Sequence, residues 1–285
     1  MSTVLNLGLI GDGIAASRAP RLHDLAGRLL GLAIRYERFD LAAPGAPDFE
    51  TALFRAGAEG LAGVNVTHPY KARVLRRIAR PDPDAARLGA VNTVLFRDGR
   101  ANTGHNTDFS GFIAAWRHTF GDNPPGRVLL LGAGGVGRAI AAGLIRLGAR
   151  EVRIVDLRPG AAALLCRALD DGSGILRALP GLADDPDGID GLVNATPIGM
   201  HDRPGLPLPA DSPIRPAWVF DAVYTPHDTG FLAWAADRGA RCLSGQELFF
   251  YQGLHAVRHF TGRGIEEDAL RRALLEEGIL LPETR

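Results

Sequence analysis

Gly132, Gly134 and Gly137 follow the apolar run 128–131 in a Gly-x-Gly-x-x-Gly register, and a helical pattern continues to about residue 147. Parts in that order hold a pyrophosphate. The first glycine makes a tight turn, the second lets the backbone approach a phosphate, and the third lets the helix pack closely on the strand. The helix N-terminus adds free N–H groups and the positive end of its dipole. Gly148 closes the helix and residues 151–155 form the next strand, so Asp156 stands at that strand's carboxyl end. An acid at this position, about 20 residues beyond the glycines, accepts hydrogen bonds from the adenosine ribose and repels a 2′-phosphate, which favours NAD over NADP. Arg158 blurs the choice, because an arginine there can clamp a 2′-phosphate, stack on adenine or lie in solvent.

A second set of polar residues falls in the first half of the chain. In GVNVTHPYK (63–71) a short β run breaks at Thr67, and a Pro-containing turn leads to Lys71 at a helix start. The helix dipole does not favour a lysine there, which points to a task in a cleft. The spacing predicts a strand over 89–96 carrying Asn92, and a Gly-led loop over 104–112 carrying Asp108. These are strand-end and loop positions, where open α/β sheets bind ligands. Ser17, just ahead of a helix expected over 21–31, is either a helix cap or a hydroxyl aimed into the cleft.

The elements that must position these residues alternate strand and helix. Strands are expected at 5–10, 34–39, 63–66, 128–131, 151–155, near 175, 191–195 and 218–222, with helices at 49–59, 160–169, 246–262 and 265–277. An Asp-rich turn falls at 184–190. A polar, Gly- and Pro-containing stretch at 116–127 marks a domain crossing. The expected class is α/β with two domains: an α/β substrate domain over 1–115, completed by helices from 247–285, and a Rossmann domain over 116–246.

Composition excludes several classes. At 285 residues and 46% hydrophobic content the chain buries a large core, and its 32 basic and 32 acidic side chains cancel. That balance gives no pull toward nucleic acid or an anionic membrane. Cys166 and Cys242 lie far apart without metal-ligand spacing, which suits a reducing compartment and argues against a zinc site. No run of about 18 apolar residues and no basic-then-apolar leader is present, so a cytoplasmic, unprocessed protein is expected.

The ordered motifs SRAP, NVTHPYK, GAVNTV, GHNTDFSGF, GAGGVG, NATPIGM, DAVYTP and GQELFFYQG span nearly the whole chain. In them the sequence resembles the shikimate dehydrogenase family, and looks most like its quinate/shikimate dehydrogenase branch. The resemblance implies two α/β domains with a deep cleft between them, a small cyclic hydroxy acid as substrate, NAD or NADP as cofactor, and a monomer or homodimer. It implies that Lys71 and Asp108 are the catalytic pair. Thr67, Asn92 and Gln252 would bind ring hydroxyls, and Ser17 the substrate carboxylate. The turn Gly132, Ala133, Gly134, Gly135, Val136 and Gly137, with Asp156 and Arg158, would hold the dinucleotide. Thr196, Met200, Val223 and Gly245 would surround its nicotinamide and ribose, with Tyr224 also close to the substrate.

Alcohol oxidation needs a hydride acceptor and a group that takes the hydroxyl proton. An amine paired with a carboxylate can relay that proton, and in reverse an ammonium stabilises the developing alkoxide. Two departures from the family pattern stand out. Ala19 occupies the second hydroxyl position of Ser-x-Ser/Thr-Pro, removing one bond to the carboxylate, worth about 1.5–3 kcal/mol. Asp156-Leu157-Arg158 replaces the Asn-Arg-Thr/Ser pattern of NADP-binding relatives, again favouring NAD. The related readings are a dehydrogenase of an analogue such as aminoshikimate, and a non-catalytic homologue that senses quinate or shikimate.

Overall fold

The computed structural model describes residues 4–182 and 188–282. Most of the Asp-rich turn, 184–187, lies outside them. Contacts divide the chain into two compact units: Met1–Thr107 with Gln252–Arg285, and Asp108–Tyr251.

The first unit is built on β1 (Val4–Gly11), β2 (Ala33–Asp40), β3 (Gly63–Val66), β4 (Arg80–Pro81), β5 (Thr93–Arg97) and β6 (Arg100–His105), in the order β2-β1-β3-β5-β6-β4. β1 pairs in parallel with β2 and β3, whereas β5 is antiparallel to both β3 and β6. The carboxyl ends of β1, β3 and β6 and the start of β5 therefore meet at one end of the sheet. Helices α1 (Ala19–Leu29), α2 (Phe49–Ala58), α3 (Lys71–Leu75) and α4 (Pro83–Leu88) complete this part of the chain. Ile10, Phe49, Leu53, Val64, Val66, Val74 and Val94 share one buried cluster. Each such side chain contributes about 1.5–3 kcal/mol by leaving water.

The second unit holds β7 (Arg127–Leu131), β8 (Glu151–Val155), β9 (Leu176–Ala178), β10 (Gly191–Asn194), β11 (Trp218–Asp221) and β12 (Arg241–Leu243). All neighbours are parallel, in the order β12-β11-β10-β7-β8-β9. This is the doubly wound Rossmann order, with its switch point between β7 and β10, where such sheets take dinucleotides. Helices α6 (Gly135–Arg146), α7 (Ala161–Leu169) and α8 (Gly230–Ala236) make the connections. The unit boundaries fall inside α5 (Thr107–Phe120) and α9 (Gly245–Thr261); α10 (Glu267–Glu276) belongs to the first unit.

Two local expectations are corrected. The strand expected over 89–96 begins only at Thr93. Ahead of it lies α4, which is capped by Asp82 accepting from the Asp84 and Ala85 N–H groups and ends at Gly89 in the left-handed region. The Gly-led loop over 104–112 is the end of β6 followed by the first turn of α5. Its compact polar residues are helix-start residues, the pattern that satisfies free N–H groups at an N-terminus. Among the described residues no helix is long and apolar enough to cross a membrane, and no group of His, Cys, Asp or Glu is placed to hold a metal ion.

Candidate functional site

In the first unit the chain leaves β1 through Asp12, whose carboxylate accepts from the Tyr70 hydroxyl at 2.8 Å. The main chain after β3 is tied to the end of β1 by Thr67 N–H to Ile10 O (2.9 Å) and Asp12 N–H to His68 O (3.0 Å). Thr67 and Lys71 thus sit at the carboxyl end of the parallel strands. Lys71 is half-buried at the first position of α3, and its carbonyl accepts from Val91 N–H at 2.8 Å, which brings the approach to β5 alongside. Asn92 is 4% exposed. Its Oδ1 accepts from Thr107 N–H (2.7 Å), Thr107 Oγ1 (3.1 Å) and Thr93 Oγ1 (3.1 Å).

Ser17 is half-buried and is not the cap of α1; Arg18 holds that position, while Ser17 Oγ accepts from Ala19 N–H at 3.3 Å. The hydroxyl-bearing residue stands two positions ahead of the helix, in the segment that follows β1. The carbonyl of Ala19 accepts from Nδ1 of His23, whose buried imidazole has its pKa lowered to about 4 by desolvation. Gln252 is half-buried in α9, beside Gly253, whose missing Cβ makes room for Leu22.

In the second unit the glycine turn has the close approaches its spacing predicts. Gly132 has φ +102°, and a Cβ there would stand 2.8 Å from the Ala195 carbonyl oxygen. A Cβ on Gly137 would fall onto the Gly132 carbonyl oxygen, so the helix packs on the turn only because that atom is missing. Above Gly134 the space is open, and as N-cap of α6 it leaves the helix N–H groups without a side-chain partner. This cradle fits the phosphates of a dinucleotide.

Asp156 is organised tightly. Oδ2 accepts from Ala133 N–H at 2.7 Å and Oδ1 from Arg158 N–H at 2.8 Å, while Arg158 Nε and Nη2 each reach a carboxylate oxygen at 3.0 Å. The Arg158 guanidinium is the main cause that lowers the Asp156 pKa to about 2. The arginine is therefore drawn back onto the acid while most of its side chain stays in solvent.

The remaining residues of this group surround the ends of β10 and β11. Asn194 Oδ1 accepts from Thr196 N–H (3.1 Å) and Oγ1 (2.7 Å), and its amide donates to Ile198 O and to Asp221 Oδ1, both at 2.9 Å. Asp221 also accepts from Val223 N–H at 3.0 Å and Thr229 Oγ1 at 2.5 Å. One buried carboxylate so clips the loop carrying Thr196 and Met200 to the segment carrying Val223 and Tyr224. A Cβ on Gly245 would lie 2.5 Å from the Val223 carbonyl oxygen. The ring of Tyr224 stacks on Phe249 with centroids 5.3 Å apart.

Asn194, Asp221, Thr93 and Thr107 carry no role in the sequence reading, although Asn194 and Asp221 each end an otherwise apolar strand, a signal that was available. Burial raises the Asp221 pKa to about 6 against the pull of its three donors. The folded state then holds this proton more tightly than the unfolded chain, so the group's contribution to stability falls as pH rises from about 4 to about 6. Asp221→Asn retains the acceptor for Asn194 and Val223 and removes the titration. Thermal melts of this variant are expected to lose that slope and to gain up to about 3 kcal/mol above pH 6; a slope equal to wild type would assign it elsewhere.

The sequence matches the shikimate dehydrogenase substrate-binding domain model over residues 9–94. It is 42% identical to the shikimate dehydrogenase (NADP(+)) of Streptomyces avermitilis over 93% of this chain and 92% of that protein. It is 36% identical to the quinate/shikimate dehydrogenase (NAD(+)) of Corynebacterium efficiens, covering 94% of this chain and 97% of that one. The structure superposes on quinate dehydrogenase from Corynebacterium glutamicum in complex with NAD with a TM-score of 0.86 at 34% identity, over 96% and 100% of the two chains. With identity of this level along almost its whole length, a Rossmann sheet carrying the glycine turn and a substrate-domain sheet of matching sequence, the chain belongs to the shikimate dehydrogenase family.

Proposed function

We propose that the protein is an NAD(P)-dependent oxidoreductase that interconverts shikimate- or quinate-type cyclic hydroxy acids and their 3-dehydro ketones. The observation that carries this reading is the gathering of Thr67, Lys71 and Asn92 at one end of the first sheet, in a chain whose second sheet bears the glycine turn of a dinucleotide site. The bound dinucleotide supplies the hydride acceptor. Lys71 takes the hydroxyl proton as the carbonyl forms, and Asp108 passes it on. In reduction the ammonium stabilises the alkoxide. Thr67, Asn92 and Gln252 bind ring hydroxyls, and Ser17 binds the carboxylate with one partner fewer than the family pattern because residue 19 is alanine. Gly132–Gly137 hold the phosphates, Asp156 the adenosine ribose, and Thr196, Met200, Val223, Tyr224 and Gly245 the nicotinamide side. The free cysteines fit a reducing, cytoplasmic setting.

We further propose that NAD is preferred. The Asp156 carboxylate is ionised and stands at the carboxyl end of β8, where such folds meet the adenosine ribose, and Arg158 is committed to it by two side-chain hydrogen bonds. A 2′-phosphate would meet like charge and would have to release the arginine first. Progress curves with shikimate and quinate against NAD and NADP test both statements. Turnover of either acid is expected, with kcat/KM for NAD higher by at least about tenfold. No turnover of either acid overturns the activity, and equal use of NADP overturns the preference.

A further inference from the structure

A chain of buried hydrogen bonds in the first unit ends on Asn92. The Tyr36 hydroxyl donates to Asn65 Oδ1 at 2.8 Å, and Asn65 Nδ2 donates to the Asn92 carbonyl at 3.2 Å and to Thr93 Oγ1 at 3.0 Å. Thr93 Oγ1 donates in turn to Asn92 Oδ1 at 3.1 Å, where Thr107 N–H and Oγ1 also converge. Asn65, Asn92, Thr93 and Thr107 are all less than 10% exposed.

Backbone groups at both ends fix the two amides in this chain, while the Thr93 and Thr107 hydroxyls, 3.3 Å apart, can each donate to the other or to Asn92 Oδ1. The Asn92 carbonyl is purely an acceptor, so the Asn65 amide must turn Nδ2 toward it, and Oδ1 must then face Tyr36. Burial raises the Tyr36 pKa, which keeps the phenol a neutral donor. Thr93 Oγ1 receives from Asn65 and has its own proton left to give. Thr107 N–H is purely a donor, so the atom of Asn92 that it meets is Oδ1. With the Thr107 N–H and two hydroxyls gathered on that oxygen, the opposite edge of the amide is Nδ2, for which no partner is seen among the described residues.

We propose that Tyr36, Asn65, Thr93 and Thr107 are positioning residues that lock the Asn92 amide with Nδ2 outward, so that the substrate position beside it takes an oxygen lone pair and rejects a group that can only donate. This rests on the reading of Asn92 as a substrate contact. A ring hydroxyl satisfies it. An ammonium at the same ring position brings three donors and no acceptor, so an amino analogue substituted there is excluded by polarity rather than by size. The hydroxyl that accepts from Asn92 must also place its own proton on another acceptor, which gives the recognition a direction.

Steady-state kinetics with shikimate and NAD test this on wild type, Asn92→Ala, Asn92→Asp, Thr107→Val, Thr107→Ser, Tyr36→Phe and the double variant Thr107→Val/Asn92→Ala, each with a thermal melt. Thr107→Val and Tyr36→Phe are expected to raise the KM for shikimate about 3- to 10-fold, the worth of one hydrogen bond, with the KM for NAD unchanged. Thr107→Ser restores it. Asn92→Asp keeps the inward acceptor but turns the outward edge into one, and is expected to raise the KM at least as far as Asn92→Ala. The double variant should be no worse than Asn92→Ala alone, since the lock has nothing left to position. An unchanged shikimate KM in Asn92→Ala removes the substrate role of Asn92 and the proposal with it. A raised KM in Asn92→Ala with full additivity in the double variant keeps the role and overturns the lock. If Thr107→Val fails to fold, Tyr36→Phe decides: a shikimate KM equal to wild type overturns the proposal.

Discussion

Lys71→Ala is expected to lower turnover about 10²- to 10⁴-fold, the range for removal of a positioned general acid or base, while NAD binds as in wild type. The fold survives this change for a local reason. The main-chain carbonyl of Lys71 accepts from Val91 N–H at 2.8 Å on the approach to β5, and alanine keeps that bond. Nothing in the glycine turn or around Asp156 is altered. Single-turnover and steady-state rates with shikimate, beside a titration of NAD, separate the alternatives. A lysine that only held substrate would raise KM and spare kcat; near-normal turnover would remove Lys71 from the chemistry. Asp108→Asn should be severe but milder, because an amide still holds a hydroxyl while no longer passing the proton on.

Gly137→Ala is expected to weaken NAD binding about 10- to 100-fold and to lower the melting temperature, matching a strain of about 1–3 kcal/mol from an added methyl in a packed site. The colliding partner is the Gly132 carbonyl, a backbone atom that cannot swing aside, and Gly132 is itself held at φ +102°. Gly134→Ala is the informative comparison, since its Cβ would enter open space. It should leave the melting temperature near wild type and still weaken NAD, because the methyl takes the place of phosphate. Melts and NAD titrations on the pair decide it: NAD affinity equal to wild type in Gly134→Ala would mean that no phosphate approaches that backbone.

The second unit was legible in the sequence because its signals are local. Strand, glycines, helix and acid follow one another within about 30 residues, each part has its own steric reason, and the parallel sheet assembles in the order those βα repeats imply. Around Asn92 the signals are less local. The valines near it carry β propensity and drew the expected strand back over Gly89, whereas the Asp82 cap and the left-handed Gly89 end a short helix there. Asn106, Thr107 and Asp108 have the composition of a loop and equally that of a helix start, and the apolar residues that follow decide between them. The polar chain from Tyr36 to Asn92 has no sequence signature at all. Its partners come from strands 27 or more residues apart, and Asn65 reads only as an interruption of an apolar strand.

The Asp156–Arg158 clasp is held unequally at its two ends. Both residues lie just beyond β8, on a segment that contributes no strand or helix, and Arg158 and Leu157 project into solvent. Arg158 can change without touching a strand or helix residue, whereas Asp156 is also tied to the glycine turn through Ala133 N–H at 2.7 Å. The charge at this corner of the second unit is thus set partly by a residue outside its strands and helices, in a chain whose relatives named for NADP(+) and for NAD(+) stand at 42% and 36% identity to it.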